Sequence, residues 1–165
     1  PRAGEESWPL CFGFCGCRLK SCENSLSSME HPSHFPDERP YPLQRHLGFV
    51  LADWSKDYCR LELPLADFLM NRQGIPHGGV YATLADTAMG YAGCFAPKGA
   101  APRWAMTLNL NVNYLAQCKG DLLIATANRT GGGHKTFFAD ASISDNMSTK
   151  IASATGVFRY RSSPP

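Results

Sequence analysis

The stretch NRQGIPHGGVYATLADTAMGYAGCFA, residues 71–96, decides the fold of this chain. It opens with Asn, Gly and Pro, which favour a turn. It then passes a histidine and two glycines and stays apolar for about four helical turns. This pattern predicts a helix that begins at Gly78 or Gly79 and ends near Cys94 or Phe95. Because apolar residues occupy nearly all of its sides, we expect a helix of the protein core.

Asp86 is the single charged residue within this predicted helix. Burying a lone carboxylate is costly unless the group is paired, hydrogen-bonded or used in chemistry. The structural explanation for Asp86 is a carboxylate that accepts a hydrogen bond from a nearby backbone group or hydroxyl. The structural explanation for the two glycines before the helix is a tight turn. A catalytic acid or base is the functional explanation.

Strand-like runs precede and follow the predicted helix. They lie at residues 47–54, 58–63, 104–115, 121–129, 136–145 and 150–161. The last four are joined by short links rich in Gly, Asn, Asp or Ser, which favour antiparallel neighbours. We therefore predict an α+β fold in which one apolar helix is wrapped by a curved antiparallel sheet of about six strands.

Composition excludes several classes of function. The chain has 165 residues, 44% of them apolar and 18% charged, and a net charge of +2. These values fit one globular domain and give no basic surface for nucleic acid. No apolar run is long enough to span a membrane. Seven cysteines without a repeated spacing argue against a disulfide framework, so we expect a reduced, cytoplasmic protein.

The N-terminal residues differ from the rest of the chain in composition. We expect residues 1–45 to be a disordered or non-native extension followed by a proline-rich linker, with Met29 as a possible true start. The folded domain is then expected at residues 46–162. The four cysteines before residue 23 match no zinc pattern, so no metal is expected.

The glycine-rich segment TGGGHKT, residues 130–136, does not fit a phosphate-binding P-loop. Its Lys135 follows His134 where the motif requires glycine, and the segment joins two strands instead of opening a helix. It is interpreted as a hairpin loop. We expect its Lys135, together with Arg129, to contact phosphates of a substrate, and its His134 to contact the substrate as well.

The motif as a whole resembles a known family. Asn, a Gly turn, His-Gly-Gly and Leu-x-Asp, here Asn71, Gly74, residues 77–79, Leu84 and Asp86, are similar to the pattern of the hotdog-fold acyl-CoA thioesterases. The match is to the PaaI-like, phenylacetate-degradation branch of the 4-hydroxybenzoyl-CoA thioesterase superfamily. It covers about the last 120 residues. It implies hydrolysis of acyl-CoA thioesters without a cofactor, CoA being part of the substrate.

Site residues follow from chemistry and from this resemblance. The Gly78 N–H, unpaired at a helix N-terminus, is the candidate oxyanion donor, and Gly79 beside it is expected to contact substrate. The resemblance implies that Asp86 is either the general base or the nucleophile. It also implies that Asn71 and His77 shape the turn and help to bind the thioester oxygen. Thr107, on the polar face of its strand, matches the Ser or Thr of this family that orients the attacking water opposite the acid.

The spacing of Gly78 and Asp86 predicts a shared site. Eight residues of helix separate them by about 12 Å, whereas both must act within about 3 Å of one reacting centre. We therefore expect a homodimer, or a homotetramer built as a dimer of dimers, in which one subunit supplies Gly78 and another supplies Asp86. The resemblance implies the same assembly.

Two alternatives stay open from the sequence. One is a hotdog dehydratase of hydroxyacyl thioesters, and the other is a non-catalytic acyl-CoA-binding or regulatory protein. The resemblance to the PaaI-like branch implies an aryl acyl group, with medium-chain acyl groups next. Tyr81, Met89, Tyr91 and Phe95 could line an aromatic-accepting pocket. Core packing explains these four side chains equally well.

Overall fold

A computed structural model describes residues 38–162. Its elements are α1 (Pro42–Leu47), β1 (Val50–Ser55), β2 (Tyr58–Pro64), a 3-10 helix (Asp67–Leu69), α2 (Gly78–Cys94), β3 (Trp104–Tyr114), β4 (Leu122–Gly132), β5 (Thr136–Asp145) and β6 (Lys150–Arg161). The predicted central helix and six strands are confirmed. No helix in this part of the chain is long and apolar enough to cross a membrane. Predictions for residues 1–37 lie outside the described residues.

The six strands form one sheet in the order β1-β2-β4-β5-β6-β3, and every neighbouring pair is antiparallel. The chain places β3 at the far edge because the β4–β5–β6 meander separates it from the first two strands. This arrangement confirms the predicted α+β architecture of one main helix on an antiparallel sheet. Among the strands of residues 38–162, it also leaves the whole length of β3 with one unpaired backbone edge.

One face of α2 packs on the sheet, and small residues allow a close approach. A Cβ atom at Gly93 would lie 2.1 Å from the Phe137 ring, so no larger residue fits there. Residues spaced three or four positions apart form a buried stripe along α2. This stripe comprises Tyr81, Leu84, Ala85, Ala88, Met89, Ala92 and Gly93. The expectation of a helix buried on nearly all sides was too broad, because the opposite face, which carries Asp86, is half-exposed.

The predicted domain start at residue 46 is wrong, since it falls inside α1. The prolines before it indicated a linker, but Pro42 occupies the first turn of this helix, where a missing N–H costs nothing. Gly48 ends the helix with φ 85° and donates its N–H to the Gln44 carbonyl at 2.8 Å. The folded part therefore extends upstream of residue 46, back at least to Tyr41, which packs on the core.

Candidate active site

The N-terminus of α2 is capped by the side chain of His77. Its Nδ1 accepts a hydrogen bond from the Gly79 N–H at 2.9 Å, and its carbonyl accepts one from the Val80 N–H at 2.9 Å. An accepting Nδ1 requires a neutral ring that carries its proton on Nε2. Within residues 38–162 nothing accepts from the Gly78 N–H. This donor therefore stays available at the positive end of the helix dipole.

The turn before α2 is built around Asn71. Its Oδ1 accepts the Gln73 N–H at 2.8 Å, and its backbone N–H donates to the Ile75 carbonyl at 2.8 Å. Gly74 adopts φ 73°, a conformation that other residues rarely take. Asn71 thus shapes the turn that delivers the chain to His77. Contact of Asn71 or His77 with a thioester oxygen stays a prediction.

Asp86 accepts a hydrogen bond from the Thr107 hydroxyl at 2.7 Å. This short bond joins the middle of α2 to the first half of β3. A 2.7 Å O–H···O⁻ contact is of the stronger, charge-assisted kind. The structure therefore brings two of the predicted site residues together, with one carboxylate oxygen engaged by Thr107.

The position of Thr107 depends on a bulge that the sequence did not reveal. Strict alternation predicts that Thr107 shares a polar face with Asn109, but the β3–β6 register shifts between these two residues. Thr107 pairs with the buried Phe158, whereas Asn109 pairs with Val157 on the other face. Thr107 therefore does not share the face of Asn109, contrary to what strict alternation predicts. The extra residue of the bulge turns it toward α2.

A cavity of about 1050 Å³ opens beside Asp86 and Thr107. It runs along the half-exposed face of α2 toward the loop that joins α2 to β3. Aromatic side chains form much of its wall, namely those of Tyr41, Trp54, Tyr91, Phe95, Trp104 and Phe158. Tyr91 and Phe95 thus lie where a pocket was expected. Tyr81 and Met89 belong to the hydrophobic core instead.

Hydrogen bonds fix the aromatic wall of the cavity. The Tyr91 hydroxyl donates to Glu38 Oε1 at 3.0 Å, and the Trp54 indole N–H donates to the Tyr91 carbonyl at 2.8 Å. Burial raises the pKa of the Tyr91 phenol, and the Glu38 carboxylate adds to the effect, so this tyrosine stays protonated. Glu38, Tyr41 and Trp54 were not predicted as site residues, because they lie 32 to 48 residues before Asp86 and carry no local pattern.

Three predicted substrate contacts, Arg129, His134 and Lys135, lie apart from this cavity. Arg129 forms an ion pair with Asp57, with Nη1 3.2 Å from Oδ1. His134 and Lys135 lie on the β4–β5 hairpin loop, and the Lys135 carbonyl accepts the Tyr160 N–H. None of the three lines the cavity. Their contact with a substrate stays a prediction.

Gly78 and Asp86 do not meet within one subunit. They lie eight residues apart on α2, about 12 Å along its axis. Gly78 packs against Tyr114 at the end of β3, whereas Asp86 bonds Thr107 near its start. Gly78 does not line the Asp86 cavity. Within residues 38–162 no cluster of three or more His, Cys, Asp or Glu side chains is arranged to hold a metal ion.

Comparison with known proteins identifies the class. The family model of the thioesterase superfamily matches residues 73–152. A protein of Halobacterium salinarum, whose name provisionally calls it an esterase, is 35% identical over 122 residues, which are 68% of this chain and 80% of that protein. The chain belongs to the thioesterase superfamily. This membership and the name of the relative support a hydrolase of acyl thioesters in general.

Solved structures confirm the predicted hotdog fold. The PaaI protein of the Escherichia coli phenylacetic acid degradation operon aligns with a TM-score of 0.62 and 22% identity, over 72% of this chain and 83% of that one. A Bacillus halodurans protein solved with CoA aligns with a TM-score of 0.56 and 29% identity, over 62% of this chain and 66% of that one. At 22% identity the first likeness shows the fold alone, so the PaaI-like branch stays a prediction.

Proposed function

We propose that this protein hydrolyses acyl-CoA thioesters to a free acid and CoA. The observation that carries the proposal is the 2.7 Å hydrogen bond from Thr107 to Asp86 at the wall of a large cavity, in a member of the thioesterase superfamily. The Bacillus halodurans relative that was solved with CoA supports CoA as the thiol carrier. A carboxylate that is held by one hydroxyl keeps its other oxygen for chemistry.

Asp86 acts in one of two ways. As a general base it takes a proton from water while the water oxygen attacks the thioester carbonyl carbon. As a nucleophile its carboxylate attacks that carbon, and water then cleaves the resulting anhydride. In both routes the carbonyl oxygen becomes an oxyanion, the carbon–sulfur bond breaks, and CoA leaves as a thiolate. The Gly78 N–H stabilises the oxyanion.

The cavity beside Asp86 is proposed to hold the acyl group. Its aromatic wall and its volume of about 1050 Å³ suit an aryl or medium-chain acyl group. Edge-to-face packing of the Trp54 ring on Tyr91 and on Phe95, with centroids 5.2 and 5.5 Å apart, makes part of the wall rigid. A rigid apolar wall favours a flat or slender apolar group.

The active site is proposed to be shared between two subunits that pair through β3. Of the nine large hydrophobic side chains exposed within residues 38–162, five lie at positions 104–115, which suits an interface. When two copies of an edge strand pair antiparallel about a two-fold axis, the first half of one lies beside the last half of the other. Thr107 and Asp86 of one subunit would then face Tyr114 and Gly78 of the partner subunit.

Replacing Asp86 with asparagine tests the function. Asp86→Asn keeps the shape of the side chain and removes its basicity, so hydrolysis should fall by at least about 100-fold, as general-base or nucleophile loss predicts. Release of CoA thiol is followed over a panel of aryl-acyl, medium-chain and hydroxyacyl thioesters, with sedimentation of both proteins as the control for assembly. Unchanged turnover in the variant, or no hydrolysis of any thioester by the wild type, would refute the proposal. A fully active monomer would refute the shared site.

A further inference from the structure

Tyr114 contacts the helix end that carries the candidate oxyanion donor. It is the last residue of β3, and 58% of its surface is exposed. Its hydroxyl nevertheless donates to the Gly78 carbonyl at 3.1 Å. A Cβ atom at Gly78 would lie only 3.2–3.3 Å from the Tyr114 ring, so ring and helix end are in direct contact. An exposed phenol that could bond water instead bonds this one carbonyl.

The first turn of α2 is thereby held on both sides of the free N–H. On one side, the His77 carbonyl and Nδ1 accept from Val80 and Gly79. On the other side, Tyr114 holds the Gly78 carbonyl, and its ring lies 6.3 Å from that of Tyr81, counted between centroids. The Gly78 N–H lies in the plane of the His77–Gly78 peptide unit, and the adjoining Gly78–Gly79 unit is the one that Tyr114 holds through its carbonyl.

We propose that Tyr114 is a positioning residue for the Gly78 N–H. It anchors the first turn of α2 to the end of β3, so that the donor points to one fixed place. This role rests on the proposed function, in which that N–H stabilises the oxyanion. An oxyanion donor works because it is oriented before the charge develops, and a small misplacement lowers the rate without weakening ground-state binding.

The test compares Tyr114→Phe with a matched control, Tyr160→Phe. The Tyr160 hydroxyl donates to the Gly93 carbonyl at 2.9 Å, so each variant removes one bond from a tyrosine hydroxyl to a carbonyl of α2, at opposite ends of the helix. Acyl-CoA kinetics, thermal unfolding and hydrogen exchange of the Gly79 and Val80 amides are measured for both. Tyr114→Phe should lower kcat by about 10- to 100-fold with KM within about two-fold. Amide exchange at Gly79 and Val80 should become several-fold faster.

The control sets the level for a purely structural effect. Tyr160→Phe should leave kcat and exchange at the start of α2 unchanged while lowering the unfolding temperature to a similar extent. A kcat for Tyr114→Phe that matches the control, or unchanged exchange of Gly79 and Val80, would overturn the positioning role. Failure of the wild type to hydrolyse any acyl-CoA would instead overturn the proposed function, and the exchange data would still decide whether Tyr114 orders the helix end.

Discussion

Replacing Gly78 with proline removes the proposed oxyanion donor while the helix can still form. Proline lacks the N–H and is well tolerated at the first position of a helix, which Gly78 occupies. It also requires an extended residue before it, and His77 already has φ −63° and ψ 137°. Loss of one oxyanion-hole donor lowers kcat by about 100- to 1000-fold, or about 2.7–4 kcal/mol of transition-state stabilisation.

Gly78→Ala is the matched control for this change. Both variants place a Cβ atom 3.2–3.3 Å from the Tyr114 ring, which must give way by a few tenths of an ångström, but only alanine keeps the N–H. Steady-state release of CoA thiol should therefore show a small loss for alanine and a large loss of kcat for proline. Circular dichroism checks that both helices form. If the proline variant retains kcat within about three-fold of the alanine variant, the oxyanion role of this N–H is refuted.

Two further predictions concern carboxylates. Thr107→Val removes the hydrogen bond that orients Asp86. Because misplacing a catalytic group by about 1 Å can cost about 100-fold in rate, kcat should fall by about 10- to 100-fold, while Thr107→Ser stays near wild type. Equal rates for the valine and serine variants would contradict this. Burial would raise the pKa of Asp145, but hydrogen bonds from four backbone N–H groups lower it to about 2. The ionised Asp145 therefore stabilises the folded state fully above pH ~4, and this stabilisation is lost as the pH falls toward 2. Urea unfolding of wild type and Asp145→Asn should show a stability difference that shrinks over this interval, and a difference independent of pH would refute it.

The start of α2 was predictable because its signals are local. Turn residues, two glycines and an apolar run fall within 26 consecutive residues, so the bounds of the helix, Gly78–Cys94, follow from sequence. The strands were predictable for the same reason. The start of the domain was not predictable, because a proline at the first position of a helix and a proline in a linker look the same in the sequence. Pro42 is at the first position of a helix.

The site itself was only partly predictable. Asp86 stands out as a charge in an apolar helix, but the direction of Thr107 depends on a bulge, and a single extra residue in a strand leaves no mark in the alternation. The cavity wall depends on packing between distant segments, since Tyr41 and Trp54 meet α2 only in the folded chain. The contact of Tyr114 with Gly78 likewise joins two segments that meet only in the folded chain.

A mixed dimer tests the central claim most directly. Asp86→Asn and Gly78→Pro chains, each inactive alone, are co-expressed with different tags, and the heterodimer is purified through both tags. In a two-fold dimer with shared sites, one site of the heterodimer combines an intact Asp86 with an intact Gly78 of the partner subunit, so the heterodimer should recover about half of the wild-type kcat. Activity no higher than that of the two separate variants would contradict the shared site.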